Sequence, residues 1–352
     1  CMEIVPDLIG RTVQKAESRV LLLWEGTVTA ARLVLSSCGV KPGVHHTVYL
    51  NGQPAVQVAD DVFNSCICYS SGHTMTYTLS NPNVVLSGWN YISITNDADV
   101  ADAWLAYSAK LIIEGDLVGA ALRELVFTST YDGSTRRALY QLPIMYNPGR
   151  PMPLLVSVGG IGESKWEALY RYAERANARG WLLLAPDIRS ATSSEGGRTA
   201  SIAVQHDIID AIDYLLADSS LNIDHNRVYL SGFSVGGGLV ATVAAKYPHR
   251  FAAVVDWAGP TDLKEWVEQR PSVEPSLIAD IGCPFSGPGM CPLEWTRRSA
   301  RAMAQNLKYV AMAVVHGRND TRVPFAQSWD FYQHMRSFFV PEDYNKLFVW
   351  HD

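Results

Sequence analysis

Residues 227–238 read Arg-Val-Tyr-Leu-Ser-Gly-Phe-Ser-Val-Gly-Gly-Gly, and no other stretch limits the fold of this chain so much. A β-rich run, Val228-Tyr229-Leu230, meets Gly232-Phe233-Ser234-Val235-Gly236, and an apolar helical segment, Leu239 to Tyr247, follows. Strand, Gly-x-Ser-x-Gly and helix in that order describe a turn that presents a serine as a nucleophile. The turn is so tight that Ser234 must adopt a strained backbone, and side chains at 232 and 236 would collide with neighbouring backbone. The hydroxyl is thereby pushed out at the carboxyl end of a sheet. It also sits at a helix N-terminus, where free N–H groups and the dipole favour a developing negative charge. The alternative is a glycine-rich turn before a core helix.

Around this turn the chain divides in two. Residues 1–118 show short runs rich in Val, Leu, Ile, Thr and Tyr between turn signals. Strands are expected at Val20–Trp24, Ala31–Leu35, His46–Leu50, Ala55–Val58, Thr74–Leu79, Tyr91–Thr95 and Ala109–Ile113, with a hairpin turn at Asn51-Gly52. Short strands at this spacing predict a small antiparallel β-sandwich. The runs Thr47–Gly52 and Leu86–Ile94 resemble the jelly-roll modules of the galactose-binding-like class. That resemblance implies a possible carbohydrate partner at this domain, with Trp89, Trp104 and Tyr107 as a stacking platform or, more commonly, as core aromatics.

Residues 119–352 change pattern. Leu125–Tyr131 and Arg137–Leu142 read as a hairpin around Asp132-Gly133. Strand and helix then alternate: strands at Leu154–Val158, Trp181–Ala185, Ala252–Val255, Tyr309–Val315 and Leu347–Trp350. A capping box at Ser164 and Glu167 opens a helix that stops at Gly180, and Ser201–Ala217 is amphipathic. The expected fold class is α/β: a mostly parallel, helix-covered sheet after the sandwich. Such sheets bind ligands at the carboxyl ends of their strands, so the insertion 259–300 is the lid candidate.

The bulk properties narrow the partners. Net charge is −6 with no basic cluster, which argues against nucleic acid or an anionic membrane surface. No apolar run approaches the roughly 18 residues of a bilayer span. A chain beginning at Cys1 without a signal peptide reads as a processed or trimmed product. Among six cysteines, Cys283 and Cys291 flank a Pro/Gly-rich run that a disulfide would close. Cys66 and Cys68 alternate on an expected strand and face opposite ways, so they are not expected to pair with each other; one of them could reach Cys38, and buried free thiols are the alternative. Cysteine usage leans towards a secreted or extracytoplasmic protein. The vicinal pair His45-His46 points its rings apart, and neither metal nor organic cofactor is expected.

A serine hydroxyl needs a base, and the base needs an orienting carboxylate. Downstream of a serine on such a turn the partners follow in the order acid, then histidine. Asp320, in His316-Gly-Arg-Asn-Asp-Thr-Arg-Val-Pro324 after a buried strand, is the expected acid, with Asp330 and Asp343 as alternatives. His351, directly after the last strand, is the expected base. The oxyanion hole needs two N–H donors. Val235 supplies one, and the loop Val158-Gly-Gly-Ile-Gly162 is expected to supply the other from Gly160.

Together Asp207–Leu216, Ile223–Gly237 and His316–Pro324 resemble the α/β-hydrolase superfamily, most closely the catalytic domains of the prolyl oligopeptidase family and related esterases. The resemblance covers about residues 120–352. It implies a serine hydrolase working through an acyl-enzyme on a small ester or peptide. Val158 stands where relatives carry a side-chain donor. In relatives the base follows the strand in a pattern like Asp-x-Gly-His, which Asp352 would only begin. The expected activity is carboxylic ester hydrolysis. A peptidase of the same mechanism is the first alternative, and a non-catalytic binding protein on a hydrolase scaffold is the second.

Overall fold

In the computed structural model, which describes residues 2–4, 15–60, 73–99, 102, 104–189, 199–338 and 346–350, the chain falls into two compact units, residues 1–120 and 121–352.

The first unit follows its two-residue periodicity. Along β3 (Trp24–Cys38), Ala31, Leu33 and Leu35 are buried while Arg32 and Val34 are half-exposed. Its partners are β1 (Met2–Ile4), β8 (Leu105–Gly119) and β6 (His73–Thr78), in the order β1-β8-β3-β6. A second four-stranded sheet runs β2 (Lys15–Leu22), β7 (Gly88–Thr95), β4 (Thr47–Leu50) and β5 (Gln53–Gln57). Every pairing is antiparallel. Val20, Val48, Leu50, Ile92 and Ile94 from one sheet share a core with Leu33, Leu35 and Leu111 from the other. Asn51 and Gly52, both at positive φ, close the β4–β5 hairpin. Leu23 separates β2 from β3, so the expected strand Val20–Trp24 is divided between two sheets.

Trp104 takes the core reading rather than the stacking platform. It is 5 % exposed and lies parallel to the buried His46 ring at 5.7 Å, so it belongs to the core. The guanidinium of Arg19 lies 4.4 Å from the Trp89 ring centre and covers that face. Cys38 is disulfide-bonded; Cys66 and Cys68 lie outside the described residues.

The second unit is built on an eight-stranded sheet in the order β16-β15-β14-β13-β11-β12-β10-β9. β9 (Ala121–Thr128) and β10 (Thr135–Leu142) form the antiparallel hairpin, turned at Gly133. The other strands are β11 (Met152–Val158), β12 (Leu182–Pro186), β13 (Ile223–Phe233), β14 (Ala253–Trp257), β15 (Ala311–Gly317) and β16 (Lys346–Trp350), and they run parallel to one another. β11 and β12 are buried at every position, as continuous apolar runs require when helices cover both faces.

The capping box at Ser164 and Glu167 is present, but the helix expected to run to Gly180 is two: α1 (Lys165–Tyr170) and α2 (Ala173–Ala178). Tyr172 leaves helical geometry between them, and its hydroxyl lies 2.7 Å from that of Ser231. α3 (Ile202–Leu216) is capped by Ser201. α4 (Val235–Lys246) follows β13 and is buried from Val235 through Ala245, which is why its sequence is apolar on all sides.

The insertion holds α5 (Leu263–Gln269), α6 (Glu274–Ile281) and α7 (Cys291–Thr296). Cys283 and Cys291 are bonded, with their Cα atoms 5.9 Å apart. The last helix, α8 (Ala326–Arg336), carries Trp329 and Met335. Among the described residues no helix is long and apolar enough to cross a membrane, and no group of three or more His, Cys, Asp or Glu side chains is arranged to hold a metal.

Candidate active site

Ser234 stands between β13 and α4 with φ 55° and ψ −126°, a conformation that L side chains rarely adopt. Two glycines make the bend possible. A β-carbon at Gly232 would lie 2.1 Å from the Gly236 carbonyl oxygen, and one at Gly236 would lie 2.3 Å from that of Gly159. The Ser234 amide donates to the Trp257 carbonyl at 2.7 Å, and the Ser234 carbonyl accepts from Gly237 at 2.7 Å and Gly238 at 3.2 Å. The bend is therefore held from β14 as well as by its own helix. Ser234 is half-buried rather than packed inside, and Phe233 beside it is exposed.

Val235 begins α4, where a helix amide has no acceptor within the helix. Its side chain is buried in a cluster with Leu263, Trp266, Leu277, Ile281, Trp295 and Val323. The insertion is thus packed against the residue that follows Ser234 and against the loop after β15. Trp266 Nε1 donates to the Arg322 carbonyl at 3.1 Å, and Gln327 Oε1 accepts the amides of Thr261 and Asp262.

Asp320 lies three residues past β15. Its Oδ1 accepts the amides of Arg322 at 2.7 Å and Val323 at 3.0 Å. The buried His316 supports the same loop. Its Nε2 lies 2.8 Å from the Val323 carbonyl, which can only accept, so Nε2 carries the proton. Nδ1 then accepts from the Ser328 hydroxyl at 2.6 Å. Burial lowers the His316 pKa, which favours the neutral ring. Asp330 lies on α8, as expected for the weaker candidate. Asp343, His351 and Asp352 lie outside the described residues.

The loop after β11 departs from expectation in one respect. Gly160 abuts the serine: a β-carbon there would lie 3.2 Å from Ser234 Cβ and from the Phe233 carbonyl oxygen. Its amide, expected to be an oxyanion donor, instead donates to Glu163 Oε2 at 2.7 Å. The sequence reading missed Glu163 because its role depends on a side chain curling back over three residues. Glu163 Oε1 accepts from Arg171 Nη2 at 2.6 Å, and the Arg171 guanidinium lies 4.9 Å from the Phe233 ring centre.

A second residue missed in sequence is Asp256, fully buried in β14 beneath the bend. Its Oδ1 accepts the Gly259 amide at 2.9 Å, and a β-carbon at Gly237 would lie 2.3 Å from that oxygen. Among the described residues its Oδ2 has no hydrogen-bond partner. Burial pushes the carboxyl up to about 7, against the Gly259 bond, which lowers it.

Residues 194–345 match the model of the prolyl oligopeptidase family (Peptidase_S9). The quorum-quenching protein AidA of Acinetobacter baumannii is 36% identical over 113 residues, which is 31% of this chain and 36% of that protein. A puromycin hydrolase structure superposes with TM-score 0.57 at 18% identity, covering 71% of this chain and 40% of that one. The Pyrococcus horikoshii acylaminoacyl peptidase gives TM-score 0.51 at 17% identity over 66% of this chain and 37% of its own. The chain therefore spans little more than a third of these proteins' lengths. At such identity the structures show fold alone: the second unit has the α/β-hydrolase fold.

Proposed function

We propose that the protein hydrolyses carboxylic esters through an acyl-enzyme on Ser234, a reading that starts from the match of residues 194–345 to the prolyl oligopeptidase family model. The observation that carries this reading is the φ 55° bend at Ser234, held by Gly232 and Gly236 at the start of α4. A strained nucleophile at a helix N-terminus is what acyl transfer uses. In the proposed mechanism the His351 imidazole takes the Ser234 proton as the oxygen attacks the substrate carbonyl. Asp320 orients the imidazole, and the Val235 amide stabilises the tetrahedral oxyanion. The imidazolium then protonates the leaving group, and water attacks the acyl-enzyme by the same route.

The insertion 259–300 is proposed as the lid, since its helices pack on Val235 and on the Asp320 loop. A peptidase of the same mechanism is the second reading, and the family match favours it. The Cys283–Cys291 bond accords with a proposed oxidising, extracytoplasmic location.

Fluorophosphonate labelling tests the serine, and a panel of p-nitrophenyl esters and aminoacyl or peptidyl anilides separates the two substrate classes. Ser234→Ala is expected to abolish labelling and to lower turnover by about 10⁴-fold or more. Undiminished turnover in that variant ends the proposal.

A further inference from the structure

The Gly160 amide faces a carboxylate, which is an odd neighbour for a site that must stabilise negative charge. Glu163 Oε2 accepts that amide at 2.7 Å, and a β-carbon added at Gly160 would lie 3.2 Å from Ser234 Cβ. A charge-assisted bond of this kind competes strongly with an incoming carbonyl oxygen. A carboxylate left beside a tetrahedral oxyanion would also repel it.

The structure supplies an alternative place for that carboxylate. Glu163 meets Arg171 through a single pair, Oε1 to Nη2 at 2.6 Å. Arg171 Nη1 is buried and, among the described residues, has no hydrogen-bond partner. A guanidinium prefers to hold a carboxylate through two parallel bonds. Glu163 follows Gly162, which is at φ +78° and where an added β-carbon would meet nothing within 4 Å.

We propose that Glu163 is a positioning residue that gates the second oxyanion donor. In the unliganded protein it covers the Gly160 amide. On substrate binding its Oε2 leaves for Arg171 Nη1, the pair becomes two-pronged, and the amide is freed for the oxyanion. Arg171 is the receiving partner, held in place by the Phe233 ring. The inference rests on the hydrolase reading of Ser234 and extends it to the group that regulates the site.

The experiment is a double-mutant cycle on the full chain, read with a p-nitrophenyl ester and, separately, by the NMR shift of the Gly160 amide proton. Arg171→Ala removes the alternative partner, so the carboxylate stays on Gly160. kcat should fall by roughly 10²-fold, the effect of losing one oxyanion donor, with KM little changed. Glu163→Ala uncovers the Gly160 amide, so kcat should rise, and in the double variant it should restore the activity that Arg171→Ala removes. A merely structural role would make the two losses add.

Failure of the double variant to recover, or a fall of tenfold or more in Glu163→Ala alone, overturns the gate. The second outcome decides the matter even where Arg171→Ala does not fold, as judged by circular dichroism. If the wild-type chain neither labels nor hydrolyses, the hydrolase reading fails. The Gly160 amide proton then decides the contact: it should move upfield in Glu163→Ala, and an unchanged shift overturns the gate.

Discussion

The Nε2 of His316 lies 3.5 Å from Asp320 Oδ2, yet its proton points to the Val323 carbonyl at 2.8 Å. The imidazole ties the ends of the loop together without becoming the cation that Asp320 would orient. Asp320 Oδ1 is already engaged by two backbone amides, so the loop's conformation is set before any base arrives. Asp320 is thus a carboxylate held in a fixed place, as the proposed orienting acid must be.

Asp320→Asn is expected to lower kcat by about 10⁴-fold, because an amide cannot hold the imidazole in the required tautomer. Asp330→Asn on α8 should stay within a few-fold of wild type. Steady-state ester hydrolysis by the two variants checks this, and the opposite ranking would move the acid.

Gly236→Ala places a methyl 2.3 Å from the Gly159 carbonyl oxygen, with backbone on both sides of the contact. Neither side can yield without moving the bend or the loop after β11. The expected loss is roughly 1–3 kcal/mol of stability, together with most of the activity. Chemical denaturation and fluorophosphonate labelling of the folded fraction measure the two effects. A stable, fully labelled variant would show that the bend is looser than its contacts imply.

Asp256 and His316 pull stability in opposite directions with pH. The folded Asp256 carboxyl is raised from 3.8 to about 7, so between those values the native state holds a proton that the unfolded state has lost. This contribution falls as pH rises through the window. The His316 pKa is lowered from 6.5, so just below 6.5 the unfolded state binds the extra proton and stability falls as pH drops. Asp256→Asn should remove the first trend and leave the second. Melting temperatures from pH 4 to 8 would show it as a shallower loss towards pH 8. An identical profile in the variant would mean Asp256 is ionised in the fold.

The disulfide reaches the site through one side chain. Trp295 Nε1 donates to the Cys283 carbonyl at 2.8 Å, and the same indole is buried in the cluster that holds Val235. Cys283→Ser with Cys291→Ser is expected to cost about 2.5 kcal/mol from loop entropy alone. Because the insertion packs on Val235, the ester kcat should fall as well. Equal stability and equal kcat in the double variant would show that the bond is dispensable to the cluster.

Much of the architecture is legible in the chain because it is written at short range. The alternation of Ala31, Leu33 and Leu35, the Asn51-Gly52 turn and the capping box at Ser164 each depend on neighbours within a few residues, and each has its expected structure. The strand–Gly-x-Ser-x-Gly–helix order around Ser234 belongs to the same class: backbone sterics alone require its glycines. The division of Lys165–Gly180 into α1 and α2 was not legible, because no Gly or Pro marks the break at Tyr172, whose hydroxyl meets Ser231 across the fold.

The sequence by itself determined where the chain bends to expose Ser234, since a steric clash needs only adjacent atoms. Tertiary structure decided which groups surround that serine. It buried Trp104 against His46, left one oxygen of Asp256 without a hydrogen-bond partner among the described residues, packed the insertion on Val235 and turned the Gly160 amide towards Glu163. Each of these outcomes is a competition among partners for one hydrogen bond or one buried surface. Such competitions are settled by which residues the sheet brings within a few ångströms, and spacing along the chain does not encode that.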